Sequence, residues 1–171
     1  MANPTMTLIA SNTVGSGGVA SVTFSSIPQT YTDLIVKVSV RTNFSSVIDG
    51  TRIRFNNDTT SGNYTGRRLF GDGSVAYSDT DNVGNVFANG NTSTSNTFSN
   101  CDVYVPNYTS GSAKSYSTDN ASETNATTQY CGFGSQLWSG TAAITTMTFS
   151  VQNGTLFLAN STFYLYGINN S

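Results

Sequence analysis

The chain has no histidine among its 171 residues. That absence excludes a histidine-based catalytic triad, a His-ligated metal and a His pH switch. Charge is also scarce: Asp, Glu, Lys and Arg make up 9% of the chain, against about 25% in an ordinary soluble domain. Seven basic residues face nine acidic ones, for a net charge of -2. So weak a balance gives no electrostatic footprint for nucleic acid or an anionic membrane as partner. Long apolar runs are missing too; the longest are short, such as Leu34-Ile35-Val36, and none approaches the ~18 residues of a membrane span. The opening Met1-Ala2-Asn3-Pro4-Thr5 has no basic segment and no apolar stretch of signal-peptide length, so synthesis in the cytosol is expected. Cysteine is limited to Cys101 and Cys131. Both are expected as small buried apolar side chains. A disulfide between them stays open, although a cytosolic product argues against one. Without histidine the two thiols make no standard zinc site, and Cys131 has no imidazole base to activate it as a nucleophile. No cofactor and no enzymatic activity are expected.

What is abundant is Ser, Thr and Asn, together about 40% of the chain and far above average usage. Around them runs a period of two. Leu34, Val36, Val38 and Val40 share one parity, and Ile35, Lys37, Ser39 and Arg41 the other. Val22 and Phe24, Ile53 and Phe55, Val103 and Val105, Met147, Phe149 and Val151, and Phe163 and Leu165 repeat the alternation with polar neighbours. This is the signature of half-buried antiparallel strands. No window carries a 3.6 period; one short helical turn near Ser122-Glu123-Thr124 is the most the sequence allows. Turn clusters punctuate the strands: Ser16-Gly17-Gly18, Asp49-Gly50, Thr60-Ser61-Gly62-Asn63, Gly71-Asp72-Gly73 and Asn153-Gly154. Residues 89–96 are low-complexity and read as an exposed loop. Eight or more such strands predict an all-β, antiparallel, jelly-roll-like β-sandwich in a single domain. Residues 1–16 are expected as an extended N-terminal segment, and residues 17–171 as the sandwich.

Four constellations could carry chemistry. Asp79-Thr80-Asp81-Asn82 with Asn85 offers oxygens at alternate positions, but Val83 breaks the calcium-loop pattern, and a solvated loop is the expectation. Asp33, Asp102 and Asp119 are the least turn-like acids, and a glycosidase pair would need two of them facing each other across a groove. Arg67-Arg68 lies beside Tyr64 and Phe70; five arginines in a net acidic chain suit ion pairs with Asp58, Asp72 or a neighbouring subunit better than nucleic acid. Trp138, with Tyr104, Tyr108, Tyr130, Tyr164 and Tyr166, could stack on sugars, fill a subunit interface or close the core at a strand end. Arg67, Arg68, Tyr108 and Trp138 are therefore the candidate interface or glycan contacts.

Six segments taken in order resemble a family of small β-rich virion proteins of tailed bacteriophages. They are residues 24–34 (FSSIPQTYTDL), 53–58 (IRFNND), 64–73 (YTGRRLFGDG), 103–108 (VYVPNY), 137–145 (LWSGTAAIT) and 165–171 (LYGINNS). The resemblance spans nearly the whole chain and rests on order and coverage rather than on one motif. It implies a non-enzymatic virion structural protein, often trimeric, and transfers no catalytic residue. The expected role is capsid decoration: a cement protein made in the host cytoplasm that binds the outer surface of the phage head. It would bridge major capsid protein subunits through residues 1–16 and loops. The alternative is a tail-fibre or baseplate component that binds a host-surface glycan through aromatic side chains around Trp138.

Overall fold

Apolar residues two apart bury one face of most strands, and the described residues form twelve strands. In chain order they are β1 (Met6–Thr13), β2 (Ser21–Phe24), β3 (Asp33–Val40), β4 (Ile48–Phe55), β5 (Tyr64–Gly71) and β6 (Ala76–Thr80). They continue with β7 (Asn85–Asn89), β8 (Ser99–Val105), β9 (Lys114–Ser122), β10 (Tyr130–Trp138), β11 (Met147–Val151) and β12 (Thr162–Ile168). The computed structural model describes residues 5–81, 84–125 and 129–169. The one helical segment among them is a 3-10 turn over Ser61–Asn63. The short helical turn that the sequence would allow near Ser122 does not form: Ser122 closes β9, and Glu123 and Thr124 are in neither helix nor strand.

All strand pairings are antiparallel and fall into two sheets. One has eight strands in the order β1-β12-β3-β8-β9-β10-β5-β6, the other four in the order β2-β11-β4-β7. The sheets pack face to face around one core, a single-domain antiparallel β-sandwich. Leu34, Val36, Val38 and Val40 of β3 are buried to 1% exposure or less, alongside Phe163 and Leu165 of β12 and Val103 and Val105 of β8. Ile53, Phe55, Met147 and Phe149 meet them from the smaller sheet. The Phe149 and Phe163 rings touch across the layers with centroids 5.4 Å apart, a spacing favourable for tilted aromatic pairs.

Two hairpins, β5–β6 and β9–β10, extend the larger sheet beyond the smaller one. Without them the strands run β1-β12-β3-β8 against β2-β11-β4-β7, four on four. Phe70 of β5 and Tyr130 of β10 reach Phe87 of β7, at ring distances of 5.4 and 5.5 Å. The extension thus covers the outer strand of the smaller sheet, an edge that would otherwise be open to pairing.

Residues 1–16 are not a free arm where the structure describes them. Met6–Thr13 is β1, an edge strand paired with β12 from Met6↔Ile168 to Thr13↔Thr162, with a bulge between Leu8 and Ala10. Asp49-Gly50 is not a turn either. Asp49 is buried inside β4, and its carboxylate accepts from the Thr42 hydroxyl at 2.9 Å, from the Gly50 and Asn153 amides at 2.7 and 3.1 Å, and from the Gly154 amide at 3.1 Å. It serves the Asn153-Gly154 turn rather than one of its own. The abundance of Asn has a local cause as well: Asn56, Asn57, Asn96, Asn107, Asn125 and Asn160 all take positive φ, where Asn is among the few residues with a side chain that compensates.

Candidate functional site

Two of the four candidate contact residues are inside the molecule. Trp138 is 3% exposed and Tyr108 is fully buried, so neither can be a sugar platform. The Trp138 indole N–H donates to Asp58 Oδ2 at 2.8 Å, its ring lies 5.6 Å from that of Phe55, and the Lys114 ammonium sits 5.8 Å from its centroid. Trp138 closes the core at the end of β10. The Tyr108 hydroxyl donates to the Pro28 carbonyl. Arg68 points inward and pairs with Asp79, Nε to Oδ1 at 2.9 Å and Nη2 to Oδ2 at 2.7 Å. It therefore pairs with neither Asp58 nor Asp72, the partners expected from sequence; Asp79 faces it directly across the β5–β6 hairpin. Arg67, one residue earlier, faces solvent on the opposite side of β5 and donates to the Gly66 carbonyl at 2.9 Å.

The acidic candidates part company in the same way. Asp81 is buried and accepts from the Gln136 amide at 2.8 Å, while Asp79 holds Arg68. Asn82, Val83 and the side chain of Asn85 lie outside the described residues. Asp33 is buried at the start of β3 and accepts from the Tyr104 hydroxyl at 2.7 Å and the Asn107 amide at 2.8 Å. Asp102 takes an ion pair from Lys37 at 2.6 Å, and Asp119 lies directly across from Asp102 on the open face of the sheet. Cys101 and Cys131 are both free. Burial pushes the Cys101 thiol well up, whereas Cys131 is exposed on β10, because it falls on the outer parity of that strand.

Sequence reasoning missed two buried cations. Lys114 is 1% exposed, and its Nζ donates to the carbonyls of Ser110, Ser112, Thr141 and Ala142. Arg41 is 7% exposed, and its guanidinium donates to the carbonyls of Asn91, Ser93, Thr94 and Thr97 at 2.8–3.1 Å. Burial lowers the pKa of both. The alternation had placed Arg41 outward with Lys37, but β3 ends at Val40 and the side chain turns in beneath the loop after β7. Residues 91–97 are therefore pinned from below, although most of them are exposed as expected. No sequence signal marks a cation whose partners are main-chain carbonyls.

The side chains available for contact lie on the outer face of the eight-stranded sheet, in two zones. In the first, one cross-strand row runs Leu8–Tyr166–Ile35–Tyr104 from β1 through β12 and β3 to β8. Leu8 is 50% exposed and Tyr104 37%, with Met6 exposed beside them on β1. The hydrogen bond to Asp33 fixes the Tyr104 ring, so this surface is formed before anything binds. In the second zone, Phe133 of β10 lies directly opposite Leu69 of β5. Lys37, Asp102 and Asp119 separate the two zones. Among the described residues no cluster of three or more metal-ligating side chains occurs.

Compared with known proteins, the chain matches no protein-family model, no curated protein and no solved structure.

Proposed function

We propose that this protein is a non-enzymatic virion structural protein, a decoration protein that binds the outer surface of a bacteriophage head and bridges major capsid protein subunits. The observation that carries the reading is the preformed row Leu8–Tyr166–Ile35–Tyr104 on the outer face of the large sheet. It includes the strand built from the N-terminal segment, which the sequence reading expected to make the particle contact together with loops. The strand order adds support. Without the two added hairpins, β1-β12-β3-β8 against β2-β11-β4-β7 follows the connectivity of a jelly roll, an architecture of viral capsid and lectin domains. Sparse charge suits a subunit displayed in many copies, because it limits repulsion between neighbours and leaves few Lys and Arg for proteases of tryptic specificity.

The mechanism is summed burial. A contact of standard size, ~1,600 Å² in total, is enough for specific attachment, and a sheet face with fixed side chains loses little entropy on docking. The glycan-binding alternative loses its platform with Trp138 and Tyr108 buried. Cryo-EM of the particle whose genome encodes the chain tests the reading. Copies spread over the icosahedral shell with the β1 face toward the capsid are expected; copies confined to the tail would replace decoration by adhesion. Leu8→Asp combined with Met6→Asp should strip the protein from the shell while its far-UV circular dichroism stays that of the wild type.

A further inference from the structure

We propose that the outer face of the β5–β10 extension is a homodimer interface, on which two copies of this chain meet about a two-fold axis. Phe133 and Leu69 are the two most exposed large apolar side chains among the described residues, at 64% and 58%. They are also direct cross-strand partners. Two unpaired charges flank them. Asp119 on β9 faces Phe133, and Arg67 on β5 faces Ser135, two residues along β10 from Phe133. An acid and a base thus stand one strand to either side of β10. Neither joins an ion pair within the chain; the pairs among the described residues are Lys37–Asp102 and Arg68–Asp79. Asp119 also lies directly across from Asp102, a like-charge placement that is unfavourable on a sheet surface and that a cation on Asp119 would relieve.

This charge pattern selects the occupant. A partner surface of one sign would attract one of the two groups and repel the other. A second copy presents both, and a two-fold contact brings residue i onto j and j onto i. An axis lying between the faces, passing over Gly134 and perpendicular to the line from Asp119 to Arg67, carries each end of that line onto the other and crosses the strands of the two sheets. It sets Arg67 of each copy on Asp119 of the other. The same rotation lays the Phe133–Leu69 pair of one copy across that of its mate, with the sheets at the ~10 Å spacing of face-to-face packing. The face exists only because the two hairpins extend the larger sheet past the smaller one. It is centred on β10, five strands from β1 and two from Tyr104 of β8 at the near end of the row proposed for the capsid. A trimer would need a heterologous contact and would leave this self-complementary patch open.

Sedimentation equilibrium of the full chain, run from micromolar to millimolar concentration, tests the proposal without any particle present. A monomer–dimer equilibrium is expected. Phe133→Ser should weaken it, and Arg67→Asp or Asp119→Arg alone should weaken it by about tenfold or more. The double reversal Arg67→Asp with Asp119→Arg should restore it. All three positions are on the outer face, so melting temperatures measured alongside should stay near wild type. A chain that remains monomeric throughout, a trimer, or a double reversal that fails to restore association would overturn the proposal. Because the measurement needs no capsid, a failure of head binding leaves this result unaffected.

Discussion

Lys114 and Asp58 lie on either side of Trp138 and hold the loop ends of the sandwich by opposite means. Lys114 places a cation among four main-chain carbonyls from two loops. Lys114→Met keeps the length of the side chain but leaves those carbonyls without their donor, and a buried acceptor left unpaired costs about 1–3 kcal/mol. An unfolding free energy lowered by that amount in urea titration, through a lower midpoint at an unchanged m-value, is the expected outcome. Asp58 works as an anion. The Trp138 indole, the Asn63 amide and the Thr60 N–H all donate to its carboxylate, and these bonds hold its pKa well below the ordinary carboxylate range. Asp72 is held low in the same way by the Val75 and Ser74 amides of the β5–β6 turn. A depressed folded-state pKa means that the stabilisation is complete above the ordinary value and is lost as the pH falls through it toward the folded value. Thermal stability should therefore be flat near neutrality and decline below about pH 4. In Asp58→Asn the melting temperature at pH 7 should drop and the acid slope should become shallower. A slope identical to wild type would show that Asp58 does not contribute to it.

At the scale of elements, the fate of the N-terminal segment follows from pairing. β1 covers the edge of β12 along its whole length and packs Ile9 and Ala10 against the core. Removing residues 1–13 uncovers β12, whose Phe163 and Leu165 lie beneath, and creates a new apolar edge. The truncated chain should be insoluble or melt far below wild type. A second element-level constraint sits in β10, where Gly132 and Gly134 occupy inward positions normally filled by side chains. A methyl at Gly132 would lie 2.9 Å from the Leu69 carbonyl and 2.6 Å from Phe70 Cβ. Gly132→Ala should cost about 1–3 kcal/mol through overpacking. The strands themselves were legible in the sequence, because alternation states which parity of Leu34–Val40 or Met147–Val151 is buried. The order of the strands was not, since periodicity carries no information about partners. The candidate site was legible only in part. Arg67 is exposed, as a contact residue must be, whereas Trp138 and Tyr108, named with it, face inward, because aromatic identity does not tell a core ring from a surface one. The exposed rows depend on register across strands far apart in the chain, which no local pattern encodes. Asp49-Gly50 misled because a buried Asp accepting from a remote turn has the same local sequence as a turn residue.

At the scale of the whole molecule, the two sheets are unequal and stability is distributed accordingly. β3, β12 and β8 have apolar residues of the smaller sheet packed on their inner face. From β9 outward the inner face changes character. Beyond Tyr116 and Trp138 it holds Gly66, Gly132, Gly134, Thr118 and Gln136, and the Thr118 hydroxyl, the Gln136 carbonyl oxygen and the Tyr116 hydroxyl are buried without a hydrogen-bond partner. Between the Tyr64, Tyr116 and Trp138 rings at one end and Phe70 and Tyr130 at the other, a stretch of glycines and incompletely satisfied polar groups opens below the global unfolding free energy. Hydrogen exchange of the monomer, in the Phe133→Ser background, should therefore be slowest in β3 and β12 and fastest in β6, with β5 and β10 between them. Uniform protection across all strands would show instead that the extension folds and unfolds with the sandwich. The gradient has a consequence for association. A dimer formed through β5 and β10 covers the least stable part of the sheet, so binding should raise protection there by more than anywhere else. Wild-type chain at millimolar concentration should show slowed exchange in β5, β9 and β10, while β2 and β11, on the far layer, exchange as they do in the monomer.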